Sequence, residues 1–170
     1  MKLNELLHNT TNDRVFVFQS HTHISMSQFD YINQNLKKEF FPNWYSHEVN
    51  LFPKLYFLNN HFIIISTCLS DISGCAIDAL THQIREIGLN LGLNFFNRLK
   101  IPFFQHEKHH FSHHNINDIE IQFLDYKVFV NKYKIDSDQN LFVFNNRLTH
   151  SDELWIVSLE HWFKTYIKNN

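Results

Sequence analysis

The chain has 170 residues, of which 44% are hydrophobic and 19% charged, a composition typical of one globular domain or of a domain with a small appended lobe. Fifteen Lys and Arg residues against 17 Asp and Glu residues give a formal net charge of −2. Phosphate backbones are bound by clustered basic residues, and the sequence has no such cluster. The charge pattern therefore argues against nucleic-acid binding.

The cysteines and the apolar runs indicate the cellular compartment of the protein. Cys68 and Cys75 lie seven positions apart, without the spacing of a metal-binding pair or an extracellular disulfide framework, so free thiols are expected. The longest strongly apolar run, residues 62–68, is too short to cross a bilayer, and residues 1–8 lack the apolar core of a signal peptide. These features predict a soluble cytoplasmic protein with no membrane partner.

A strand and a helix are predicted first along the chain. Residues 14–20 form an almost continuous run of β-branched and aromatic side chains, which is typical of a strand covered on both faces. Ser25 then precedes Gln28 by three positions, the spacing of a capping box, and apolar residues recur at helical intervals until Pro42. The pattern predicts a helix that starts at Ser25.

A hairpin and a second helix follow. The strand-like runs 51–58 and 61–69 are separated only by Asn59-Asn60, and asparagine tolerates the positive φ of a two-residue turn. An apolar stripe then predicts the best-marked helix, with inward residues Ile77, Leu80, Ile84, Ile87 and Leu91. Residues 95–104 supply a predicted fourth strand. This βαββαβ order predicts an α+β fold with a ferredoxin-like sandwich.

The polar, histidine-rich segment 105–114 marks a predicted boundary between a ferredoxin-like main lobe, residues 1–104, and a small C-terminal α+β lobe, residues 105–170. In the C-terminal lobe we expect a helix within residues 118–132, strands at 141–144 and 155–157, and a last helix capped by Ser158. The five histidines of the segment are compatible with a metal site, but no cysteine or carboxylate completes a ligand set. A solvated loop is favoured, and neither a metal nor a cofactor is predicted.

The start of the second helix is the candidate site. Ser73 and Gly74 could present backbone N–H groups to an anion, with Arg98 as an additional donor. Cys75, in the first helical turn, could be a reactive thiol because the helix dipole favours a thiolate. A small buried residue at a tight junction is the favoured explanation of Cys75, and a salt bridge to Asp78 or Glu86 explains Arg98 at least as well as an anion contact.

Several segments together resemble a family of small bacterial proteins of unknown function that often carry the label "ABC transporter ATPase". The resemblance rests on four segments: Ser73-Gly74-Cys75-Ala76-Ile77-Asp78, Phe96-Asn97-Arg98, Leu141-Phe142-Val143-Phe144-Asn145-Asn146 and Trp162. A phosphate-binding P-loop requires glycines at its turns and a lysine followed by Ser or Thr, and none of the glycines begins such a motif. The resemblance therefore implies no ATPase mechanism.

The sequence leaves three functions open. The first is a small-molecule or anion-binding module, and a protein-interaction module that includes self-association through an uncovered sheet face is the second. The third is a thiol-dependent enzyme in which Cys75 is the nucleophile, which would require a base from elsewhere in the fold.

Overall fold

The computed structural model describes residues 1–8, 12–69, 71–106, 113–133 and 140–167. The α-helices within this part are α1 (Leu3–Leu6), α2 (Met26–Gln34), α3 (Gly74–Leu91), α4 (Tyr126–Tyr133) and α5 (Leu159–Tyr166). The strands are β1 (Arg14–Gln19), β2 (Tyr45–Ser46), β3 (Val49–Asn50), β4 (Lys54–Leu58), β5 (Phe62–Thr67), β6 (Lys100–Gln105), β7 (Gln122–Asp125), β8 (Leu141–Phe144) and β9 (Ile156–Ser158). Helices and antiparallel sheets together confirm the α+β class.

The first sheet has the order β1-β5-β4, and both pairings are antiparallel. Its central strand β5 is buried along its whole length, as expected for an apolar run with a partner strand on each side. The predicted hairpin between β4 and β5 is confirmed. Asn59 and Asn60 turn the chain with φ angles of +50° and +51°.

Two helices cover one face of this sheet. Helix α2 begins at a complete Ser25–Gln28 capping box and continues as a π-helical segment, Asn35–Phe40, and a 3-10 turn, Phe41–Asn43. Helix α3 buries Leu80, Ile84 and Ile87 of the predicted stripe against the sheet, whereas Ile77 and Leu91 are only partly buried. It ends at Gly92, whose φ of +66° is accessible to glycine without a steric penalty. Both predicted helices are confirmed.

The second sheet packs on the opposite face of the first. Its strand order is β7-β6-β8-β9, and every pairing is antiparallel. Phe62 and Ile64 of β5 pack with Phe104, Phe144 and Trp155 in the layer between the two sheets. Alternate residues of the second sheet point the other way and are covered by α4 and α5. The layer order is therefore helices, sheet, sheet, helices.

The ferredoxin-like arrangement is not confirmed, because the expected fourth strand belongs to the other sheet. Strand β6 covers only the second half of residues 95–104 and pairs with β7 and β8, which leaves the first sheet with three strands. Strands β8 and β9, more than 35 residues away along the chain, complete the sheet that contains β6. A pattern confined to residues 1–104 contains no information about those partners.

The C-terminal region differs from its prediction in one element. The helix expected within residues 118–132 is divided into strand β7, at the edge of the second sheet, and the shorter helix α4. Strands β8 and β9 and the Ser158-capped helix α5 are confirmed. Strand β6 reaches residue 105, the expected lobe boundary, and the division into two lobes stays a prediction. His109 and His110 of the histidine-rich segment lie outside the described residues.

Candidate functional site

A cleft of about 810 Å³ opens between β1 of the first sheet and the start of β6 in the second. Its walls come from β1, one face of α3, residues 95–98 and residues 144–149, with one side chain from α4 and two from α5. The chain contains four arginines, and all of them line this cleft: Arg14, Arg85, Arg98 and Arg147. We call it the arginine cleft. Its volume lies within the range of roughly 300–1,000 Å³ that is usual for small-molecule sites.

The charge in the arginine cleft is strongly one-sided. Lys100 also lines it, whereas none of the described aspartates or glutamates does. Lys100 pairs with Asp125 at 3.0 Å, but no described carboxylate lies within ion-pair distance of any of the four guanidinium groups. The cleft therefore carries four arginine charges that no described acid neutralises, in a chain whose formal net charge is −2.

Aromatic rings hold three of these guanidinium groups. The central guanidinium carbon of Arg85 lies 5.5 Å from the ring centre of Phe96, and that of Arg147 lies 5.3 Å from the ring centre of Tyr166. Arg14 lies 5.7 Å from the ring centre of Phe16 on its own strand. Stacking on a ring orients a planar guanidinium and leaves its N–H donors free for a ligand.

The edge of β1 contributes main-chain groups to the cleft. The Ser20 N–H points toward β5 and donates to the His61 carbonyl oxygen. The Val15 N–H points away from β5 and donates to the Thr149 carbonyl oxygen. Because these directions alternate along a strand, the N–H and C=O of Val17 also point away from β5 and toward the cleft. No described residue pairs with them.

Hydrogen bonds close both ends of this exposed edge. At one end the bond from Val15 to Thr149 is 2.9 Å long. At the other end the Gln19 side-chain amide donates to the carbonyl oxygens of Asn97 and Lys100, at 3.0 and 2.8 Å. The Gln19 side chain also accepts a hydrogen bond from Asn146. These contacts set the width of the cleft by linking the two sheets.

The segment that carries Arg147 is held in place by Glu153. Burial by itself would raise the pKa of the Glu153 carboxyl, but hydrogen bonds from the backbone N–H groups of Thr149 and His150 outweigh it and lower the pKa. Nearby, burial raises the pKa of Tyr166, and the positive charge of Arg147 opposes this rise only in part. The Tyr166 ring therefore stays neutral at physiological pH.

The residues predicted at the start of the second helix have mainly structural contacts. The Ser73 hydroxyl caps α3 by accepting the N–H of Ala76, and the Ser46 hydroxyl accepts the N–H of Ser73. Cys75 is exposed, and its thiol makes no hydrogen bond to a described residue. Gly74 is exposed as well, with nothing within 4 Å of the position a Cβ would occupy. Cys68 is also exposed.

Of the four predicted site residues, only Arg98 lines the cleft; Ser73, Gly74 and Cys75 do not. Sequence reasoning missed Arg14, Arg85 and Arg147, because they are far apart along the chain and share no motif. The one available signal was the small number of arginines, four against 11 lysines.

The fold and the cleft together define an α+β protein with four layers and a cationic cleft. Comparisons with models of protein families, with curated proteins and with solved structures found no match. The family resemblance therefore stays a prediction. None of the helices in the described part is long and apolar enough to span a bilayer, and no cluster of three His, Cys, Asp or Glu side chains among the described residues is arranged for a metal ion.

Proposed function

We propose that this protein binds a small anionic ligand in the arginine cleft. The observation that carries the proposal is that every arginine of the chain lines one concave surface on which no described carboxylate pairs with them. Guanidinium groups bind carboxylates and phosphates through two parallel hydrogen bonds, which gives both strength and orientation. The anion-binding function expected from the sequence is thereby moved from the start of α3 to the cleft, with Arg98 common to both sites.

Like charges around one cavity repel one another, and solvent screens part of this repulsion because Arg85, Arg98 and Arg147 are exposed. An anion in the cleft relieves this repulsion, so its binding stabilises the folded protein.

The cleft supports binding rather than catalysis. The described residues that line it include no Asp, Glu, His or Cys, and therefore none of the commonest general bases or nucleophiles. The thiol-dependent alternative at Cys75 has no described hydrogen-bonded base to support it.

The test is thermal and chemical unfolding in sodium phosphate or citrate, compared with sodium chloride at equal ionic strength. A specific ligand at 100 times its dissociation constant should stabilise the protein by about 2.7 kcal/mol. In a double variant that replaces two cleft arginines, Arg98→Gln with Arg147→Gln, the same stabilisation should require at least about tenfold more ligand. The reason is that each charged hydrogen bond contributes roughly 1.5–3 kcal/mol.

A matched control removes the same charge elsewhere. Lys38 and Lys127 are exposed and do not line the cleft, so Lys38→Gln with Lys127→Gln should leave the anion effect unchanged. Equal losses in the two double variants would show that net charge alone attracts the anion, and the proposal would be wrong.

A further inference from the structure

We infer that the ligand of the arginine cleft is the carboxyl-terminal end of a peptide chain, which pairs with the free edge of β1 at Val17 while its terminal carboxylate binds the arginines. This inference rests on the proposed anion-binding function and adds the class of ligand.

The main chain of Val17 provides the first step. It presents one N–H donor and one C=O acceptor side by side toward the cleft, and no described residue pairs with either. Unpaired groups on a strand edge are a template for another strand. A peptide residue offers the complementary acceptor and donor at the same spacing, as in a single antiparallel bridge.

The closed ends of this edge favour a chain end over an internal segment. The edge is free only between the Val15–Thr149 hydrogen bond and the Gln19 side-chain contacts. At about 3.3 Å per residue, the four steps from Val15 to Gln19 span roughly 13 Å. An internal peptide segment would have to continue past both closures, whereas a chain end enters from one side and stops.

The positions of the arginines fit a terminal carboxylate. Arg14 and Arg147 lie close in sequence to the Val15–Thr149 closure, and Arg98 directly follows Asn97 at the other closure. Either end of the free edge therefore has a guanidinium nearby. A free carboxylate carries a full charge and two acceptor oxygens, so it matches a guanidinium in charge and geometry.

The apolar wall of the cleft offers a binding surface for the side chain of the last peptide residue. Phe18 and Phe96 contact each other edge to face at 5.7 Å between ring centres, and Tyr126 and Trp162 lie 6.2 Å apart on the lining from α4 and α5. Aromatic rings of this kind bind large apolar side chains. A terminal Phe, Leu or Val is therefore expected to bind better than a terminal Lys, which the arginines repel.

The experiment measures fluorescence anisotropy of fluorescein-labelled hexapeptides, Gly-Ser-Gly-Ala-Val followed by Phe, Leu, Val or Lys, with the label on the amino end. Each peptide is made in four versions. One has a free carboxyl terminus, one has a terminal amide, one is methylated on the last peptide nitrogen, and one is methylated on the peptide nitrogen before it. We expect the best apolar-ended free acid to bind about tenfold tighter than its amide, and at least one methylation to weaken it several-fold. Citrate should compete with the peptide.

Because these changes are made in the peptide, a folding defect in the protein cannot imitate their effect. Equal affinity of the free acid and the amide, or no loss with either methylated peptide, would overturn the inference. If phosphate and citrate still stabilised the protein through Arg98 and Arg147, the proposed anion site would stand while its peptide ligand fell. If the anions had no arginine-dependent effect either, both would be wrong.

Discussion

Gln19 links the two sheets at the closed end of the cleft, and its removal should destabilise the whole fold. The side chain is 8% exposed and makes three hydrogen bonds, two as a donor to Asn97 and Lys100 and one as an acceptor from Asn146. At roughly 0.5–1.5 kcal/mol for each hydrogen bond, Gln19→Ala should lower the free energy of unfolding by about 2–4 kcal/mol. Gln19→Glu should cost more, because its carboxylate would face two carbonyl oxygens instead of donating to them.

The assay is urea unfolding monitored by tryptophan fluorescence. Trp155 reports on this region because its indole N–H donates to Asn146. Gln34→Ala is the matched control, since Gln34 is exposed on α2 and should change stability by no more than about 0.5 kcal/mol. If Gln19→Ala were as mild as Gln34→Ala, the Gln19 side chain would not hold the sheets together.

Two further changes test other parts of the structure. Burial lowers the pKa of His61, with His23 and His21 adding to the shift and the nearby Ser20 carbonyl opposing it. As the pH falls, His61 therefore takes up a proton in the unfolded chain before it does so in the folded protein, and the free energy of unfolding should decrease below about pH 6.5. In urea unfolding midpoints measured from pH 7.5 to 5, His61→Gln should make this decrease smaller. Because Cys68 and Cys75 are both exposed, a mild alkylating reagent should label two thiols in the folded protein, and Cys75→Ser should leave one label and an unchanged midpoint; labelling only after denaturation would contradict their exposure.

Local signals in the sequence predicted local structure well. The capping residues Ser25 and Ser158 start helices where expected, and Asn59-Asn60 forms the hairpin turn. These features depend on hydrogen bonds and backbone angles within a few residues, so the pattern contains the physical cause. The apolar stripe of α3 is equally local, because its spacing alone determines which face is buried.

Strand partners were harder to predict. Strand β6 has apolar residues on both faces and would suit either sheet, and its pairing with β8 joins residues more than 35 positions apart. The same difficulty affects β7, whose residues were assigned to a helix. Pairing with β6 holds Gln122–Asp125 extended, so tertiary context overrides the helical spacing there.

The sequence by itself determined the α+β class, the helix caps, the β4–β5 hairpin and the apolar face of α3, because each depends on interactions between near neighbours. The tertiary structure alone decided which sheet receives β6, and with it the cleft that forms where β6 does not pair with β1. Four arginines spread over 134 positions, from Arg14 to Arg147, become one cationic surface only when the two sheets pack against each other. Charges that are distant along a chain interact through space, and that distance is a property of the fold.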